Sequence, residues 1–188
     1  MFKKIALLAV MALSVIAFAA PVAQAEWLHE GKSLEKSTEL TLTGKAKFVA
    51  PGGFGSFECH VTAKITANPG DTATVTSFVP VTSSCVGAGF LFTNCKLKEH
   101  TTTVPWEATA VTGATPYVAI KNVTIHNVYE GCSSGTTTSH LVFNEVKATP
   151  NNHNAISSFS ISGTATNGAV ASGTLEVVGA AGTYGIST

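Results

Sequence analysis

The sequence predicts an all-β fold, an antiparallel sandwich of Ig-like or jelly-roll-like type, on three observations. Successive segments alternate apolar and polar residues with period two, and clusters of Gly, Pro, Asn and Ser separate most of them. After residue 25, no segment carries apolar residues at i, i+3, i+4 and i+7, the signature of a helix. Eight or so short strands joined by turns are the pattern of a sandwich or a barrel, and the sandwich is taken as the expectation.

The first element is the exception. Lys3 and Lys4 precede an apolar run from Ile5 to Ala20, and Ala23-Gln24-Ala25 forms a small-x-small cleavage site before Glu26. Residues 1–25 are therefore expected to be a cleavable signal helix, and residues 26–188 a single β domain. The run is shorter than the roughly 20 residues that span a bilayer, so no stable membrane anchor is expected. A secreted, periplasmic or cell-surface location follows.

Residues 26–36 read as a short lead-in that docks Trp27 and Leu34. In the next segment Leu40, Leu42, Gly44, Ala46 and Phe48 share one phase and Thr41, Thr43, Lys45 and Lys47 the other, ending at Pro51-Gly52-Gly53. Phe57, Cys59, Val61, Ala63 and Ile65 define the inner face of a second strand. Asn68-Pro69-Gly70-Asp71 supplies a turn, with Pro setting φ and Gly accepting a positive one. A return strand, Thr72 to Val81, slips phase between Val75 and Phe78, which predicts a bulge. Further strands are expected at Glu99–Val111, Tyr117–Tyr129, Thr138–Lys147, Ala155–Thr166 and Ala171–Val178.

Composition excludes several activities. Of eleven Lys and Arg in the chain, two are Lys3 and Lys4, so nine Lys stand beyond residue 25 against eleven acids, with no Arg and with Asp71 the one Asp. Arg is the usual bidentate phosphate ligand, so no nucleic-acid partner is expected. A calcium loop needs several closely spaced oxygen donors, which a single Asp does not supply. The 26 Thr suit a half-exposed β surface or a hydroxyl-rich face that contacts glycan or another copy of the chain.

An even number of cysteines in an exported chain reads as disulfides. Cys59, Cys85, Cys95 and Cys132 allow three connectivities. A tight turn at Pro69-Gly70 would place Cys59 opposite about Pro80 and leave Cys85 beyond the pairing, although the bulge and the loop after Val81 offer it a way back. The favoured arrangement is Cys85–Cys95, closing the apolar loop VGAGFLFTN, with Cys59–Cys132.

Candidate chemistry is sparse. His29, His60, His100, His126, His140 and His153 contain no H-x-H or H-x-x-E-H spacing, so they are read as surface groups and no metal is expected. Gly53-Phe54-Gly55-Ser56-Phe57 lacks the last glycine of a nucleophile elbow. Glu58, Glu99, Glu107, Glu130, Glu145 and Glu176 qualify as glycosidase carboxylates by type alone. No cofactor and no catalytic residue is therefore assigned. Trp106, Tyr117 and Tyr129, with Trp27 and Tyr184, are the candidate ligand contacts, as a stacking surface or as core.

Trp27 with Gly31 and Leu34, Cys59 on its alternating strand, the pair Cys85 and Cys95, Val104-Pro105-Trp106, Cys132 and Gly173-Thr174-Leu175 form an ordered set. The set resembles a group of small exported proteins common in soil actinobacteria. That resemblance implies an all-β, disulfide-linked fold with no catalytic residues to carry over. The early strand with its Cys, the later Cys and the Pro-Trp segment are also similar to the exported activators of alkane oxidation, which would imply action at an oil–water boundary. The spacing of 26 between Cys59 and Cys85 and the C-terminal Tyr184 resemble chaperone-assembled pilins, which would imply donation of the strand Glu39–Phe48 to a neighbour. The expected function is a non-enzymatic surface or extracellular structural and interaction protein. A module contacting carbohydrate or hydrocarbon is the first alternative, and a secreted hydrolase the second.

Overall fold

The computed structural model describes residues 25–133 and 135–188. The expected signal helix lies outside the described residues, apart from Ala25. Thirteen strands follow: β1 (Trp27–His29), β2 (Lys32–Ser33), β3 (Thr38–Val49), β4 (Ser56–Ala67), β5 (Thr72–Pro80), β6 (Val86–Ala88), β7 (Lys96–Thr102), β8 (Trp106–Val111), β9 (Tyr117–Cys132), β10 (Gly135–Pro150), β11 (Ser158–Thr164), β12 (Val170–Val178) and β13 (Tyr184–Ile186).

Eight of these strands close an antiparallel barrel in the order β10-β11-β12-β3-β4-β5-β8-β9, with β9 bonded back to β10. This corrects the expected sandwich. The 16-residue β9 and β10 pair along nearly their whole length, from Gly135↔Cys132 to Ala148↔Val118. Each also pairs on its other edge, β10 with β11 and β9 with β8 and β7. The first and last of these eight strands are thus hydrogen-bonded, which closes the barrel and leaves β7 bonded on one edge, to β9.

The period-two pattern decides the inside. Leu40, Leu42 and Ala46 from β3, Phe57, Val61, Ala63 and Ile65 from β4, and Val118, Val123 and Ile125 from β9 are all buried. Their alternates, including Lys45, Lys47, Glu58, His60 and Lys64, face outward, where Lys45 meets Glu58 at 3.1 Å and Lys64 meets Glu39 at 2.8 Å. An apolar interior under a polar, charged exterior is the reverse of a transmembrane barrel, whose outward band is apolar. Gly44 and Gly173 mark the tight β3–β12 corner. An added Cβ would lie 2.1 Å from the Thr174 carbonyl oxygen or 2.2 Å from that of Lys45.

Local irregularities fall where turn and breaker residues stand. The predicted bulge in β5 is present, as the register shifts between Lys64↔Ser77 and Ile65↔Val75. The single strand expected over Glu99–Val111 is two, β7 and β8, divided before Pro105, which has no N–H to give to a ladder. The lead-in also pairs: β2, β1 and β13 make a small second sheet. It caps one barrel end, with the Trp27 amide bonded to the Gly70 carbonyl in the β4–β5 turn and the Ile186 amide to the His153 carbonyl in the β10–β11 loop.

The disulfides are Cys59–Cys85 and Cys95–Cys132, not the favoured Cys85–Cys95 with Cys59–Cys132. After β5 the chain makes a 3-10 turn at Thr82–Ser84 and returns as β6 along the edge of β4, pairing Val86 with Glu58. That return sets Cys85 beside Cys59. On the far side of the loop, Lys96 pairs with Glu130, which sets Cys95 beside Cys132. Each bridge therefore ties neighbouring segments of one wall, the chemistry of an oxidising compartment.

Candidate functional site

Small inward residues leave the barrel incompletely filled. Ala46, Ala63, Ala148 and Ala171 face Leu42, Phe143, Phe159 and Leu175 across an apolar cavity of about 80 Å³. An eight-stranded barrel is just wide enough to be filled by its side chains or to keep room for one small ligand. Here alanine in place of larger side chains leaves the room. Phe78 and Trp106 close the cavity on the side of β5 and β8, their ring centroids 5.9 Å apart.

The lining contains no carboxylate and no histidine. Lys64 borders it, but its ammonium reaches outward to Glu39. Glu58 and Glu145 likewise pair with lysines on the outer face. Among the described residues no group of three His, Cys, Asp or Glu is placed to hold a metal ion. His126 and His140 oppose each other across β9 and β10 with ring centroids 6.2 Å apart.

The three aromatic candidates do not share a face. Trp106 is buried, lines the cavity and donates its indole N–H to the Thr103 hydroxyl at 3.3 Å. Tyr129 is 1% exposed and packs against Phe57 and Phe92 at 4.5 and 5.1 Å. Tyr117 is half-buried at the start of β9, with the Lys147 ammonium 4.7 Å from its ring centre. An exposed stacking platform built from these three is thereby excluded, because the phase of β8 and β9 turns Trp106 and Tyr129 inward. Trp27 is fully buried and its indole N–H has no hydrogen-bond partner among the described residues.

Phe92 plugs the barrel end opposite the small sheet. It sits on the loop between Cys85 and Cys95, buried against Phe57 and Tyr129. At the same end Phe54 and Phe90 stand 62% and 81% exposed on loops joined by the Leu91 amide to the Phe54 carbonyl.

Sequence reasoning missed a partly buried polar chain that links β5, β7, β9 and β10. His100 Nδ1 lies 2.7 Å from Asn127 Oδ1, and His100 Nε2 lies 3.2 Å from the Phe78 carbonyl oxygen. Asn127 Nδ2 donates to the Tyr129 hydroxyl at 3.0 Å, which lies 3.3 Å from Ser139 Oγ. One signal for it was present: Asn127 occupies the inward phase of Val123, Ile125 and Tyr129, where a polar residue needs a partner.

Burial pushes the Tyr129 phenol above the usual value of 10.0, outweighing its hydrogen bonds to Ser139 and Asn127. The folded state holds this proton more tightly than the unfolded chain. The resulting stability is complete below the unfolded value and is lost as pH rises through the folded one. The urea midpoint is expected to fall above about pH 10, and to fall less steeply in Tyr129→Phe. Identical slopes for the two proteins would show that Tyr129 does not contribute.

No protein-family model, curated protein or solved structure matches the chain.

Proposed function

We propose that this is an exported, non-enzymatic binding barrel that holds a small uncharged apolar molecule, of short-chain hydrocarbon type, in its interior. The observation that carries the reading is the cavity of about 80 Å³ with an apolar lining. It is roughly half the size of a 150 Å³ apolar cavity that takes benzene, so a ligand of a few carbon atoms fits without rearrangement. Trp106 and Phe78 are among the lining side chains, and a longer chain would displace some of that lining.

Titration with xenon or butane, read from the methyl resonances of Val123, Ile125 and Leu175, tests this. Saturable shifts confined to cavity methyls are expected, at millimolar or tighter affinity. Ala63→Leu, which fills the space, should abolish them while leaving the dispersion of the spectrum intact. Absence of any shift in the wild type would sink the proposal.

One observation favours a second reading, self-association of a surface component. Phe54, Phe90 and Val86, at 66% exposure, leave apolar surface at the plugged end. Light scattering at rising concentration distinguishes the two, since a strict monomer leaves the binding reading alone.

A further inference from the structure

The barrel wall has a seam beside the cavity. β5 pairs with β8 through Thr72–Val75, whereas its second half, beyond the bulge, faces β7. Among the described residues no register pairing joins β5 to β7. The side chain of His100 makes the connection instead, through Nε2 to the Phe78 carbonyl. The Phe78 ring stands between His100, at 6.0 Å, and Trp106, and it lines the cavity.

The donor count at His100 is informative. Both ring nitrogens face an acceptor oxygen, Asn127 Oδ1 and the Phe78 carbonyl, and only an imidazolium donates from both. A neutral ring has one N–H. The two ends of an amide are alike in shape, so Asn127 also fits turned end for end. Nδ2 then donates to His100 Nδ1, and Nε2–H still donates to Phe78. Downstream the direction reverses: the Tyr129 hydroxyl donates to Asn127 Oδ1 and Ser139 donates to Tyr129. Each bond along the chain pairs a donor with an acceptor in both arrangements, and the bond to Phe78 is common to them.

Of the neighbouring titratable groups, His126 stands opposite Thr101, one register position from His100. From β5, His100 meets the Phe78 ring and carbonyl, and from β9 it meets Asn127, with Tyr129 the nearest titratable partner in the chain. The turn Thr82–Ser84, packed beside β7, carries no titratable group. On β7 itself Lys98 is directed to Glu130 and Glu99 is exposed. None of the ion pairs among the described residues includes His100.

We propose that His100 is the latch of the β5–β7 seam, that it stays closed in both charge states because the Asn127 amide turns, and that the seam is the entry to the apolar cavity. The last clause rests on the ligand reading above. The first two stand on the hydrogen-bond geometry alone.

Three measurements on the full chain test it. In the wild type with the imidazole neutral, nitrogen NMR should find His100 as the Nε2–H tautomer with a scalar coupling between Asn127 Nδ2 and His100 Nδ1. Where both ring nitrogens are protonated that coupling should be lost. An Nδ1–H tautomer of the neutral ring overturns the turning amide. His100→Ala should raise amide hydrogen exchange about tenfold or more for Ser77–Val79 and Glu99–Thr102, with β10 to β12 unchanged. Uniform exchange across the barrel overturns the latch. Should that variant not fold, Asn127→Asp, whose carboxylate only accepts, should be met by an Nδ1–H on His100, and an Nδ1 without its proton overturns the pairing. Xenon should exchange faster in His100→Ala. Binding with unchanged exchange refutes the entry route, whereas no xenon binding in any form refutes the ligand reading and leaves the latch to the exchange data.

Discussion

Reduction of both disulfides is expected to unfold the barrel or bring it to the edge of unfolding. Cys59–Cys85 closes a separation of 26 residues and Cys95–Cys132 one of 37. On the chain-entropy model these restrict the unfolded chain by about 3.5 and about 3.8 kcal/mol. The two loops do not overlap in sequence, so the contributions are close to additive and reach about 7 kcal/mol, against a total of about 5–15 kcal/mol for a domain of this kind. Urea unfolding with and without reductant measures the difference. A midpoint that hardly moves would mean that the barrel ladder suffices. Cys95→Ser with Cys132→Ser should lose the larger single share, because that bridge spans the longer loop and fastens the plug to β9.

Phe92→Ala is expected to cost about 3–5 kcal/mol, the usual range for emptying a buried phenylalanine site. The side chain is 7% exposed and touches two other rings, Phe57 and Tyr129, at 6.1 and 5.1 Å. Its loop is pinned by a bridge on either side, so the neighbours have little freedom to collapse into the space. Phe90→Ala, two residues earlier and 81% exposed, is the control and should change stability by less than about 0.5 kcal/mol. Denaturant titration of the two variants separates plug from surface. Equal costs would show that Phe92 does not seal the end.

Much of the wall is legible residue by residue. The inward set Leu40, Leu42, Ala46 and the set Phe57, Cys59, Val61, Ala63, Ile65 follow from alternation, because a pleated strand sends successive side chains to opposite faces. The bulge in β5 shows as a broken phase. Trp27 and Leu34 are buried as the lead-in reading expects, although their pairing with β13 joins residues more than 150 positions apart and leaves no local trace.

The cavity and the polar chain are less legible. Ala63 or Ala171 in a strand says that the site is small, not whether a facing side chain fills the gap. Asn127 stands out as polar on an inward phase, but its partner His100 comes from β7, and the chain is completed by Phe78 of β5 and Ser139 of β10, whose proximity depends on closure. Trp106, Tyr117 and Tyr129 looked like one group because they are all aromatic. Strand phase and position separate them.

By itself the sequence determined most of the barrel strands, their inner faces, many of their turns and an even set of thiols, since each rests on chemistry within a few residues. Only the tertiary structure decided between sandwich and barrel, because alternation is the same in two packed sheets and in one that closes on itself. Closure came from β9 and β10, each using both edges, and the same long-range pairing chose the disulfide partners and left an apolar space at the centre.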